Sequence, residues 1–128
     1  MIKHWTIFEG RPFAADPAEP RVTLDPKNVI LLNRAACEQL KAPVAVELMY
    51  DENLKRIGIR ATDARAQNAF RLKKKKNASF RTINAGAFCQ HVGISVDKTV
   101  RFNQVAIDRE GILTLDLTNT TYVSRGSR

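Results

Sequence analysis

Apolar residues follow strand spacing along most of the chain and helical spacing in two short windows. Val22 and Leu24 alternate with polar neighbours, which predicts a short strand. Asp25-Pro26-Lys27-Asn28 reads as a turn, because Pro presets φ and Asp and Asn favour turn geometry. Val29 to Leu32 is an apolar run of strand length, and Asn33 suits a helix N-cap, since its side-chain oxygen can accept from a first-turn N–H. The predicted helix covers Arg34 to Lys41, with Ala36, Cys37 and Leu40 on one face and Pro43 as the stop. Lys41 is expected near its negative C-terminal end. Strands over Ala45–Tyr50 and Arg56–Arg60 follow, with Asp51 to Lys55 as the hairpin loop.

The same order returns further on. Phe80 to Ile83 predicts a strand, Asn84 stands where an N-cap belongs, and Phe88, Cys89 and Val92 form the apolar face of a second helix stopped by Gly93. In Thr99 to Ile107 the apolar positions are Val100 and Phe102, then Val105 and Ile107. That change of parity at Asn103-Gln104 requires a bulge or two separate short strands. Asp108 to Gly111 turns the chain and Ile112 to Leu117 returns it. Asn33-Arg-Ala-Ala-Cys-Glu-Gln-Leu40 aligns with Asn84-Ala-Gly-Ala-Phe-Cys-Gln-His-Val92 with one extra residue in the second copy, so an internal duplication is expected.

The implied organisation is an irregular N-terminal arm over residues 1–20, a first half over 21–66, a linker over 67–79, a second half over 80–118 and a flexible tail over 119–128. Pro12, Pro17 and Pro20 exclude helix and central strand from the arm, ahead of which Trp5, Ile7 and Phe8 form an apolar group. The fold class is mainly β with short helices (α+β), and 128 residues suffice for one domain or two small halves sharing a core.

Charge changes this picture at one place. The formal net charge is +8, yet residues 67–82 alone carry six basic side chains and no acidic one, leaving the rest nearly neutral. Such a block attracts polyanions. Lys73, Lys74, Lys75 and Lys76 are point charges suited to phosphate oxygens, and Arg71 and Arg81 can bind bidentately. The bland alternative is a solvated linker. Base-edge reading would need Arg34, Arg81, Asn28 or Asn103 on a rigid element.

These elements resemble the AbrB/MazE/SpoVT-type swapped-hairpin domains. Val29-Ile-Leu-Leu-Asn-Arg-Ala-Ala-Cys-Glu-Gln-Leu is similar to the family's strand and helix, and Val46-Glu-Leu-Met-Tyr-Asp-Glu-Asn-Leu-Lys-Arg-Ile-Gly-Ile to its closing hairpin. With the second copy the likeness covers most of Val22 to Thr118, as in duplicated members of the MraZ type. The resemblance implies two interlocking halves forming a swapped-hairpin β-barrel, within one chain or as a homodimer. It also implies DNA contacts from Lys27 in the turn, Arg34 at the helix start and Arg81 in the second copy. Two departures stand out: Lys27-Asn28 replaces the family's Gly-Arg, and Asn33 replaces its Pro.

The expected function is therefore DNA binding, as a transcriptional regulator or a low-specificity binder of double-stranded DNA. The alternatives are an antitoxin-like module with a protein partner, or RNA binding. Catalysis is not expected, nor a metal or cofactor, because the two cysteines and two histidines lack zinc-site spacing and no phosphate-cradling glycine loop is present. Cys37 and Cys89 read as buried free thiols. No apolar window is long enough to span a membrane and no signal-peptide pattern opens the chain, so the cytoplasm is the expected location.

Overall fold

The computed structural model describes residues 19–123. Most of the expected N-terminal arm, including Trp5, Ile7 and Phe8, lies outside them. The described chain is mainly β, with two antiparallel sheets and two short helices. The sheets do not close into the expected barrel.

Strands β1 (Val22–Leu24) and β2 (Val29–Leu32) form a hairpin across the Asp25–Asn28 turn. Asp25 Oδ1 accepts from the N–H groups of Lys27 and Val29, each at 2.9 Å. Asn28 takes φ 64°, a left-handed value that asparagine tolerates. Helix α1 spans Arg34–Gln39, and the hairpin of β3 (Ala45–Asp51) and β4 (Arg56–Thr62) follows. The helix ends earlier than expected. Leu40 is its C-cap, and Lys41 and Ala42 turn the chain with φ 64° and 48° instead of extending the helix.

Residues 67–79 are not a free linker. They contain β5 (Phe70–Arg71), paired with β3, and β6 (Lys73–Lys74), paired with β7 (Arg81–Asn84). The physical reason is the open edges of β3 and β7, whose N–H and C=O groups this segment satisfies. Helix α2 (Gly86–Val92) follows and ends on Gly93 at φ 79°. Its N-cap is Ala85, not Asn84: Asn84 closes β7 opposite Val29, and its Oδ1 accepts from Gly86 N–H at 3.3 Å.

The parity change at Asn103-Gln104 is a change of sheet. Strand β8 (Val100–Phe102) pairs with β1, whereas β9 (Val105–Ile107) pairs with β10 (Ile112–Asp116). The expected C-terminal tail also begins as structure, because β11 (Thr120–Tyr122) covers the open edge of β8; residues 124–128 lie outside the described region. The six-stranded sheet has the order β11-β8-β1-β2-β7-β6, and the five-stranded sheet β5-β3-β4-β10-β9.

Two central pairings unite the earlier and later parts of the chain. In one sheet β2 lies antiparallel to β7, with Ile30 opposite Ile83; in the other β4 lies antiparallel to β10, with Ile59 opposite Leu113. All four side chains are fully buried in a single core that also takes Ala36, Cys37, Phe88 and Cys89 from the helices. Among the described residues, no helix is long and apolar enough to cross a membrane.

Asn33 is the one buried polar residue among those described. Its Oδ1 accepts from the N–H groups of Ala36 and Arg21, and its Nδ2 donates to Glu19 O, all at 2.9 Å. It thus caps α1 and ties the chain ahead of β1 to the helix start. Asn33→Ala removes the cap and leaves the Arg21 N–H without that acceptor, which is expected to cost about 2–3 kcal/mol. Urea denaturation monitored by circular dichroism measures this; a loss below about 0.5 kcal/mol contradicts the role.

Candidate nucleic-acid interface

The basic residues acquire a fixed geometry from β6 and β7. Lys74 stands opposite Arg81, and Arg81 in turn stands opposite Leu32 of β2, two residues before Arg34 opens α1. Strand β5, with Arg71, hangs on the start of β3. The result is a groove of about 650 Å³ between α1 and strands β5 to β7, lined by Arg34, Arg71, Lys74 and Arg81. Its less polar lining comes from Cys37, Ala42, Pro43, Val44 and Leu72. Val44 is 69% exposed on this rim, and its carbonyl accepts from the Leu72 N–H at 3.0 Å, fixing β5 against the helix exit.

The left-handed Lys41 and Ala42 form part of the same feature. Each such non-glycine residue costs roughly 1–2 kcal/mol. They allow the Ala42 N–H to reach back to Cys37 O at 2.8 Å, and they direct Pro43 and Val44 along the groove.

Arg81 is the best-fixed cation. Its Nη1 donates to the carbonyls of Ala78, Ser79 and Phe80 at 3.4, 3.3 and 3.1 Å, which holds the guanidinium against the chain entering β7. Arg34 donates to Glu38 at 2.9 Å across one helical turn. This exposed pair contributes only about 0.3–0.5 kcal/mol, so an incoming phosphate can replace Glu38 at little cost. Among the described residues no carboxylate pairs with Arg71, Lys74 or Arg81.

The other expected residues divide into two groups. Lys75 and Lys76 occupy the exposed turn between β6 and β7, closed by the Ala78 N–H on Lys75 O at 3.1 Å, with Asn77 at φ 63°. Lys73 alternates with Lys74 along β6 and does not line the groove. Lys27 lies elsewhere. Its turn adjoins the Val29–Asn84 end of the central β2–β7 pair, whereas the groove adjoins the Leu32–Arg81 end, roughly 10 Å of strand away. Asn28 shares the Lys27 end, where its backbone carbonyl accepts from Ala85 N–H. Asn103 is engaged at the sheet change, bonded through its side chain to Asn119 and Thr121 at 3.0 and 2.9 Å, so it serves structure there.

Sequence reasoning missed Val44, Leu72 and the Lys41-Ala42 turn as parts of this surface. A signal existed for Val44, an apolar residue directly after Pro43 and ahead of β3. Nothing in the local pattern links it to Leu72.

Cys37 borders the groove but is buried, and burial pushes its thiol above the ordinary value of 9.0; Arg81 opposes this shift and Glu38 reinforces it. Burial likewise raises Cys89. Both thiols are free. Among the described residues no group of three or more His, Cys, Asp or Glu side chains is arranged to hold a metal ion.

No family model matches the chain, and neither curated proteins nor solved structures yield a match.

Because folding raises both thiols, they contribute stability that is complete below the unfolded value near 9.0 and is lost as pH rises through the folded values. The urea midpoint is therefore expected to fall as pH is taken above about 9. At pH about 8, folded protein is expected to react with a disulfide reagent only slowly and to release both thiols on denaturation. Reaction of either cysteine within seconds in the folded state contradicts this environment.

Proposed function

We propose that this chain binds nucleic acid, double-stranded DNA first, as a tandem swapped-hairpin protein that acts as a transcriptional regulator or a low-specificity DNA binder. The single observation that carries the reading is the convergence of Arg34, Arg71, Lys74 and Arg81 on one groove beside the Lys75-Lys76 turn, where Glu38 is the one carboxylate in the lining. Uncompensated cations on a common surface gain affinity for a polyanion by releasing its condensed counterions. The surface is built on paired strands and a capped helix, so the backbone that carries these charges is ordered before binding, and the Arg81 guanidinium with it.

The pairing of β2 with β7 and of β4 with β10 supports the swapped-hairpin part of the reading. Each half supplies one strand to each central pair. A unit of about 40 residues is too small to bury a sufficient core by itself, which gives such interlocking its physical purpose. The second half here takes the place that a second chain would fill in a homodimer.

Within the proposal, Arg71 and Lys73 to Lys76 neutralise phosphates, and Arg34 and Arg81 supply the planar donors on rigid elements that could discriminate a base edge or grip a phosphate bidentately. Fluorescence anisotropy with double-stranded DNA, single-stranded DNA and RNA at two salt concentrations tests the class and the substrate together. Duplex DNA is expected to bind most tightly, with affinity falling steeply as salt rises. Changing Lys73, Lys74, Lys75 and Lys76 together to Gln is expected to reduce duplex affinity about a hundredfold or more at moderate salt. The salt slope should flatten by about 0.9 for each phosphate that is no longer neutralised. Unchanged affinity and slope would overturn the proposal. Preference for RNA would transfer it to that polymer, and recovery of one stoichiometric protein partner without nucleic acid would favour the interaction-module alternative.

A further inference from the structure

The two ends of the central β2–β7 pair are built alike but charged differently. At the Leu32–Arg81 end the β6–β7 turn meets the start of α1; at the Val29–Asn84 end the β1–β2 turn meets the start of α2. Aligning the halves on Asn33 and Asn84 allows each groove cation to be compared with its counterpart in the other half. Arg81 corresponds to Ile30 and Arg34, at the helix start, to Ala85; across the turns the strand registers put Lys74 in the place of Leu24, and three residues earlier Arg71 in the place of Arg21. Of these counterparts only Arg21 is charged. Ile30 is fully buried in the core, whereas Arg81 is only part-buried and reaches the surrounding carbonyls.

The turns differ in the same sense. One reads Lys75-Lys76-Asn77-Ala78, while the other reads Asp25-Pro26-Lys27-Asn28, in which Asp25 offsets Lys27. Away from the groove, a second cavity is lined by Arg21 and Arg101, and there Arg21 is engaged by Glu19 at 3.4 Å.

We infer that the chain engages nucleic acid through the Leu32–Arg81 end alone, as an asymmetric binder that contacts a single stretch of duplex without two-fold repetition. This rests on the nucleic-acid reading above and specifies which of its expected residues take part. A protein with two equivalent basic ends matches a site with two-fold symmetry, because each end meets the same groups in each half-site. With the Arg34, Arg71, Lys74 and Arg81 groove at one end, and at the other a turn in which Asp25 offsets Lys27, no second equivalent half-site is recognised, and Lys27 is left out of the interface. At physiological ionic strength exposed charges farther apart than about 8 Å are largely screened, so a charge at the far end has little effect unless it touches the ligand.

The test compares two single charge reversals on exposed turns, Lys75→Glu and Lys27→Glu, in the full chain. Each changes the net charge equally, and neither side chain is in the core. Their affinities for a non-palindromic duplex are measured by anisotropy at about 0.15 M salt, after matching urea midpoints establish that both variants fold. Lys75→Glu is expected to weaken binding about tenfold or more and Lys27→Glu less than about twofold, with one chain bound per duplex site in a titration. Equal losses would overturn the one-ended arrangement while leaving DNA binding intact. Failure of the unaltered protein to bind any nucleic acid would instead overturn the functional reading, and the one-ended arrangement with it.

Discussion

The antiparallel contact between Val29–Leu32 and Arg81–Asn84 joins segments far apart in sequence, and the rest of the molecule is arranged around it. It places Ile30 against Ile83 in the interior and sets the positions of both helix starts. Neither half can bury its apolar face alone, since a β-hairpin with a six- or seven-residue helix leaves one side of its sheet open. The second central pair, β4 with β10, closes the other sheet over the same core. The earlier and later parts of the chain therefore complete one core between them, although each local element is encoded within its own segment.

That dependence also gives the basic segment its position. Lys73 and Lys74 form a strand because β7 presents a free edge after pairing with β2. Arg71 is held because β3 has a free edge after pairing with β4. A run of lysines has little strand propensity of its own, and mutual repulsion disfavours any compact arrangement of it. The ladders on both sides overcome this tendency, and the same charge protects β6 at the sheet edge from pairing with other chains. The residues that guard this edge are thus the ones on which the proposed nucleic-acid binding rests.

The order of two strands followed by a short helix occurs twice, in β1-β2-α1 and β6-β7-α2, and the two ends of the β2–β7 pair differ in charge. Arg81 aligns with a core isoleucine of the first half, yet the fold accommodates it because its strand lies next to the edge and three backbone carbonyls accept from its guanidinium. Burying the stem while the charged tip stays hydrogen-bonded avoids the large penalty of an isolated interior charge. Ile30 lies farther inside the same sheet, on β2 between β1 and β7, where it is fully buried and a charged side chain would have no such exit.

Much of the secondary structure was legible in the residues themselves. Alternation marked β1, turn residues between strand-length segments marked β10 and the β3–β4 hairpin, Asn33 marked the start of α1, and Gly93 marked the end of α2. The shift of parity at Asn103-Gln104 announced a break between β8 and β9, because side chains alternate faces with a period of two. Individual basic residues could also be singled out by local charge density. Tertiary structure alone decided that residues 67–79 form two strands, that Thr120–Tyr122 joins a sheet, and that β8 and β9 belong to different sheets, since each outcome depends on an edge built elsewhere in the chain. It also separated Lys27 from the groove and brought Arg34, Arg71, Lys74 and Arg81 together with Val44 and Leu72. Sequence determines the local propensities and the charge; the long-range strand pairs determine which charges share a surface.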